Sequence, residues 1–415
     1  MISKLLPAPG TPRVLMFATL VNTFGNGAYL TTSALFLTRS VGLSPAEVAI
    51  GLSAAALAGM VLTTPMGYLA DRRGPKQVQI TALIVLAACF TGLTQVHHLW
   101  SYVLIACVIA VADATVKAAN GAMIAGAVPP GERVRTRAFI RSTNNAGIAL
   151  GTLAGGLPLL LDVRAGYLAV LLGNAVTFLL AAAVVTRVAA VAPASAPSGS
   201  PRMVALRDRP FLTFALLDGV VAALYNEVLS LALPLWLVAY TSASVALVSA
   251  ALLVNTIGCV TLQVWASRGT HTAADAVGVA RRGALVVAAS CVLFGLSAGQ
   301  PSWLVTVLVL GASVVHVLGE LWLSSATFAV VFDLAPDWAQ GQYQGVHQTG
   351  RQIGNMVGPP LITALVIGWG APGWTALAAV FAAAGLVAPH VIRWGLRSTT
   401  RHTSAGTVPA VPAVT

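Results

Sequence analysis

The chain has 415 residues, of which 57% are hydrophobic and 8% charged, with a mean hydropathy of +0.84. Soluble domains carry roughly a quarter of their residues as charges, so this composition excludes an ordinary water-soluble protein and puts the apolar mass against lipid. A net charge of +11 would indicate nucleic acid as partner of a soluble chain, but in a membrane chain position matters more than the sum, and no nucleic-acid partner is expected.

A bilayer core of about 30 Å takes about 20 apolar residues per helix, and the sequence divides into twelve such segments. They are residues 14–37, 48–70, 78–96, 100–122, 139–161, 167–188, 211–240, 245–266, 283–298, 303–331, 353–369 and 374–394. Membrane strands would give weaker segments of about ten alternating residues, so the predicted class is an all-α polytopic membrane protein with twelve transmembrane helices. The first run is too long and too polar for a cleaved signal peptide. With the N-terminus inside, 20 of the 23 Lys and Arg fall on one face, Arg137, Arg141 and Arg351 among them. Arg39 and Arg164 fall on the other face, and Lys117 lies within a span. The positive-inside rule makes the basic face cytoplasmic, with both termini there.

In the first span, Asn22, Asn26 and Tyr29 fall at i, i+4 and i+7, a polar stripe suited to hydrogen-bonding a substrate or a neighbouring helix. After the second span comes Gly-Tyr-Leu-Ala-Asp-Arg-Arg-Gly-Pro-Lys at 67–76. It reads as a latch: Gly67 and Gly74 allow close approach and a turn, Asp71 can accept from a helix N-terminus, and Arg72 and Lys76 face headgroups. This loop resembles the signature of the major facilitator superfamily at Gly67, Asp71, Arg72, Gly74 and Lys76, departing at Pro75, where a basic residue is usual. The resemblance implies two six-helix bundles, over 1–188 and 211–398, joined by a cytoplasmic linker at 189–210. They would rock about a central cavity lined by helices one, four, seven and ten. Residues 399–415 read as a disordered tail.

The fourth span places Asp113, Lys117 and Asn120 on one face. Charges at this depth usually face a cavity and find a partner, so a role in proton or substrate binding stands beside a structural ion pair. Gly147, Gly151 and Gly155 in the fifth span match Gly350, Gly354 and Gly358 in the eleventh at an offset of 203 residues, which also carries Lys117 onto Glu320. An internal repeat with a site between its halves is a recurring transporter design. The glycines resemble the antiporter motif of drug exporters, although Thr152 stands where its proline belongs; close helix packing is the alternative. The seventh span carries Asp218 and Glu227 on opposite faces, with Tyr225 and Asn226 beside them. Asp218 lies near the inner end, where structural pairing is an even alternative. In the tenth span, His316 and Glu320 lie four apart, a histidine that titrates near neutrality and a carboxylate at bilayer depth.

Gly319-Glu320 and the stretches 334–336 and 341–345 resemble the twelve-helix drug:proton antiporter branch. The implied function is a proton-coupled exporter of small amphipathic compounds working from an inward-open cavity. The alternative is a proton-coupled importer of a sugar, carboxylate or peptide, with Lys117 as anion-binding group. Glu320, Asp113, Glu227 and His316 are the expected proton carriers. Asn22, Asn26, Tyr29, Lys117, Asn120, Tyr225 and Asn226 are the expected substrate contacts. No GxxxxGK[ST] loop, no His-Cys cluster and no paired cysteines occur, so a proton gradient rather than a cofactor, nucleotide or metal is the expected energy source. A monomer in a bacterial inner membrane completes the expectation.

Overall fold

Punctuation written into the sequence sets where the helices begin and end. Ser44 opens the second helix with a capping box, accepting from the Glu47 N–H while the Glu47 carboxylate accepts from the Ser44 N–H, and Pro45 follows in the first turn. Gly74, at φ +93°, closes that helix and opens the next. The computed structural model describes residues 6–7, 9–192, 196–197 and 199–404. Among them are twelve long helices and no strands.

The first six are α1 (Thr11–Leu35), α2 (Pro45–Arg73), α3 (Pro75–Leu93), α4 (Leu99–Ala127), α5 (Pro130–Leu161) and α6 (Arg164–Val185). The last six are α7 (Arg209–Tyr240), α8 (Ala246–Ala266), α9 (Ala273–Gly295), α10 (Ser302–Leu334), α11 (Gln340–Ile362) and α12 (Ala371–Ser404). Nine of the twelve are long and apolar enough to cross a membrane; α1, α5 and α11 carry the polar faces that turn inward.

Three helices begin well before their predicted spans, α5 at Pro130, α9 at Ala273 and α11 at Gln340. The first turns of α5 and α11 are polar because they face the opposite half of the protein rather than lipid. The backbone of α12 stays helical to Ser404, past the expected boundary at 398, and residues 405–415 of the expected tail lie outside the described residues. So do 193–195 and 198 of the linker.

Each half has its own apolar core. Leu83, Leu86, Phe90, Tyr102 and Phe178 fill the first, and Trp236, Phe294, Trp374 and Phe381 the second. Trp236 stacks on Tyr240 at 4.4 Å and donates through Nε1 to Ser297 at 2.9 Å. At the far end of the first half, Tyr167 and Arg39 bond the Asp162 carboxylate and hold it below the usual carboxylate range.

The repeated glycines perform the same task in both halves. A Cβ on Gly151 would lie 2.0 Å from the Phe24 carbonyl oxygen of α1, and one on Gly354 would lie 2.0 Å from the Gly219 carbonyl oxygen of α7. These helix pairs touch backbone to backbone, which small residues permit in lipid. The halves meet on the face where α6 ends and α7 begins, hereafter the linker face. There α2 packs on α11 and α5 on α8, and Ser142 donates to the Val260 carbonyl at 2.5 Å.

Gly354→Ala is expected to destabilise the protein by about 1–3 kcal/mol through forced separation of α7 and α11. Gly311→Ala, where nothing lies within 4 Å of the added methyl, should leave thermal unfolding in detergent unchanged. Equal melting temperatures for the two variants would contradict the packing role.

Candidate functional site

A cavity of about 420 Å³ lies between the halves, lined chiefly by α1, α4, α5, α7, α8, α10 and α11, with Gln79 and Leu83 of α3 and Ala181 of α6 completing the wall. On α1, Asn22 and Asn26 face it; Asn26 donates to Asn22 at 3.2 Å and accepts from Asn174 of α6 at 3.4 Å. The pair therefore presents carboxamides to the cavity while tying α1 to α6. Tyr29 does not join them. Its ring packs edge-on to Phe90 at 4.7 Å in the first core, where a phenol body is better buried.

Lys117 and Asp113 line the cavity as an ion pair at 2.7 Å, and Asn120 sits one turn further, accepting from Arg137 at 3.2 Å. Tyr225 and Asn226 line it from α7. Glu227 does not: it is the last residue before a wide π-turn at Val228–Ala232, is not part of the lining and accepts from Ser230 at 3.0 Å.

Glu320 is 7% exposed and reaches into the cavity from α10. One carboxylate oxygen accepts from Arg141 of α5 at 2.5 Å, the other from Asn255 of α8 at 2.7 Å, and the Cys259 thiol lies 3.7 Å away. This ion pair crosses between the halves. His316, four residues earlier, is fully buried outside the cavity, with Nδ1 3.1 Å from the Ser290 hydroxyl and Nε2 3.0 Å from the Tyr225 carbonyl. Both ring nitrogens are satisfied by the core, so the expected His316–Glu320 relay is not assembled. The histidine that does face the cavity is His347 of α11, bonded at 2.8 Å to Asp218, which also accepts from Thr327.

The 67–76 loop sits against the start of α11. That helix has no side-chain cap of its own. Asp71 supplies one from the other half, accepting from the N–H of Gly341 at 2.6 Å and of Gln342 at 2.9 Å, two of the donors that a helix start leaves unpaired. Gly67 makes the approach possible, since a Cβ there would lie 2.1 Å from the Gly341 carbonyl oxygen. Arg72 turns back onto Tyr68 at 3.2 Å, and Lys76 donates to the Thr186 carbonyl at 2.7 Å, so both act within the first half. On the other side of the pseudo-twofold, His271 in the α8–α9 loop bonds the Gly131 carbonyl of α5 at 3.0 Å, and Arg133 pairs with Asp337 at 3.6 Å.

A match to the Major Facilitator Superfamily runs over residues 15–311. The chain belongs to the major facilitator superfamily. No curated relative matches it in sequence. Solved structures of similar fold include the human organic anion transporter MFSD10 (TETRAN), at 13% identity and a TM-score of 0.64 over 92% of this chain and 98% of that one. The E. coli fucose:proton symporter FucP shares 14% identity at a TM-score of 0.69, over 92% and 97% of the two chains. A bacterial homologue of the iron transporter ferroportin in an outward-facing state shares 14% at 0.69, over 93% and 99%. At such identities the likeness carries the fold alone. Membership of the superfamily, shown by the match over residues 15–311, makes the molecule a membrane transporter, not an enzyme, that binds a small-molecule substrate.

Within that fold, the linker face, which the sequence reading expects to be cytoplasmic, is closed, whereas the same reading expects an inward-open cavity. Several cavity residues escaped the sequence reading: Arg137, Arg141 and Arg351 as topology signals, and Asn144, Asn145, Asn255, His347 and Gln348 altogether. A signal was present. Residues 137, 141, 144 and 145 share one helical face, and the 203-residue offset carries Asn144 and Asn145 onto His347 and Gln348.

Asp71→Asn should weaken the closed linker face by about 1.5–3 kcal/mol, the worth of charged hydrogen bonds. In a background without native cysteines, Thr64→Cys, now buried against Thr349, should react at least about tenfold faster with an impermeant thiol reagent when Asp71→Asn is added. An unchanged rate would contradict the latch.

Proposed function

We propose that this transporter is a proton-coupled carrier of a small hydrophilic solute, with Glu320 as the group that carries the proton. The observation that bears most weight is the Glu320–Arg141 pair, 2.5 Å long and shared between the two halves. An ionised Glu320 holds Arg141 and Asn255 at once and so helps to keep α5 and α8 against α10. Protonation removes the charge and converts a charge-assisted bond into an ordinary one, a loss of about 1 kcal/mol or more. The closure on the linker face loosens, and the cavity is delivered to the other side with its proton. The Asp71 latch and the His271–Gly131 contact close that same face and are released with it.

The cavity lining supports a hydrophilic cargo. Asn22, Asn26, Asn120, Asn144, Asn145 and Asn226 offer paired donors and acceptors, whereas the aromatic lining is limited to Tyr225 and Phe328. Sites for drug-like molecules are mostly apolar, so the uptake reading of the sequence, a sugar, carboxylate or peptide, fits this lining better than export of amphipathic compounds. Taking the basic linker face as cytoplasmic, the state described is outward-open, with both termini in the cytoplasm of a bacterial cell. A proton gradient across the inner membrane supplies the energy, and a monomer contains the whole path.

The test uses proteoliposomes under an acid-outside gradient, with a hexose, a dicarboxylate, a dipeptide and the amphipathic cation ethidium as probes. A hydrophilic probe should accumulate in the wild type. Glu320→Gln should retain exchange of that probe at equilibrium and lose gradient-driven accumulation. Accumulation by Glu320→Gln with an unchanged pH dependence would remove Glu320 from the coupling step. Proton-driven depletion of ethidium alone would favour antiport of amphipathic compounds instead.

A further inference from the structure

The charges around the cavity do not balance. Lys117, Arg137, Arg141 and Arg351 face it as cations, while Asp113 and Glu320 face it as carboxylates. Lys117 is neutralised by Asp113 at 2.7 Å and Arg141 by Glu320 at 2.5 Å. Arg137 and Arg351 have no carboxylate within ion-pair distance among the described residues. Asp218, whose charge Arg351 feels, is set behind the wall and already accepts from His347 on one oxygen and Thr327 on the other.

Arg137 is held for a purpose other than pairing. Its guanidinium donates to Asn120 of α4 at 3.2 Å and lies 5.8 Å from the Phe328 ring of α10, so one half of the protein bonds its edge and the other carries its face. It also experiences the like charges of Arg351 and Arg141. Two guanidinium groups, one on α5 and one on α11, thus stand on opposite halves of the same cavity and repel. A buried charge without a partner is costly at membrane depth, and the planar fork of arginine fits carboxylate and phosphate oxygens two at a time.

We propose that Arg137 and Arg351 form an anion site and that the transported solute carries a carboxylate or phosphate group, seated between them. The inference rests on the reading of this cavity as the solute site. An anion there cancels the repulsion between the halves, so a loaded carrier closes around its cargo more readily than an empty one. Arg137, Arg141 and Arg351, which the sequence reading counts with the basic face, belong to the cavity and give it an excess of positive charge.

The experiment uses the full-length protein in detergent at neutral pH and constant ionic strength, with succinate and inorganic phosphate as probes and succinamide and putrescine as the uncharged and cationic controls. Succinate or phosphate should raise the melting temperature and the controls should not. Arg137→Gln and Arg351→Gln should each weaken that stabilisation at least about tenfold in concentration, read against each variant's own unliganded melting temperature. For variants that fail to fold, the wild type gives the same answer: succinate should protect Arg137 and Arg351 from phenylglyoxal, read by mass spectrometry. Stabilisation by succinamide or putrescine but by neither anion overturns the proposal, as does undiminished anion binding in both variants or absent protection. No gradient is present in these measurements, so a failure of Glu320 as proton carrier leaves them untouched. Conversely, loss of the anion site alongside gradient-driven uptake of the hexose would sink only the anion site.

Discussion

The contact on which the mechanism turns is the ion pair between Arg141 and Glu320. A charged side chain at the centre of a bilayer costs about 2.5–3.5 kcal/mol on insertion scales, and each residue of the pair offsets that cost for the other. They satisfy each other only when α5 of one half and α10 of the other are brought together. Asn255 takes the second carboxylate oxygen and draws α8 into the same contact. A need to pair charges in lipid has become a connection between two bodies, and it is strong only while Glu320 is ionised.

The remaining closure depends on the same economy at helix ends. Asp71 completes the unpaired N–H groups of α11 from across the boundary, and His271 reaches the first turn of α5 in the symmetry-related position. Within each half, by contrast, the contacts are built to last: α5 lies on α1 and α11 on α7 with glycines at the crossing, and the two aromatic cores share no residue. Rigid halves with a polar, chargeable boundary are what an alternating-access carrier requires, since motion is then confined to the boundary.

Much of this was legible in the sequence because membrane residence leaves few options. Apolar runs fixed the helices, the loop at 67–76 pointed to a carboxylate that caps a helix, and Asn22, Asn26, Asp113, Lys117, Asn120, Tyr225, Asn226 and Glu320 all face the cavity. Errors arose where one side chain had two physically reasonable homes. Tyr29 and His316 are amphipathic enough to be buried in a core with their polar atoms satisfied, and spacing alone does not separate that fate from a cavity. The three arginines were misplaced for another reason. Hydropathy marks where lipid begins, but α5 and α11 start nine and thirteen residues before their predicted spans, at 130 against 139 and 340 against 353. Arg141, only the third residue of the predicted span, stands eleven residues inside α5, about 16 Å along its axis, and is shielded by protein rather than set among headgroups.

The most direct test of the account is the distance between spin labels at Arg135 and Arg268, exposed positions at the linker-face ends of α5 and α8, measured by double electron–electron resonance in lipid nanodiscs across a pH series. Wild-type protein should show a short distance at alkaline pH and a growing long-distance population as the pH falls, and Glu320→Gln should show the long population at every pH. Distance distributions that ignore pH in the wild type, or that stay short in Glu320→Gln, would contradict the claim that the charge on Glu320 holds the two halves together.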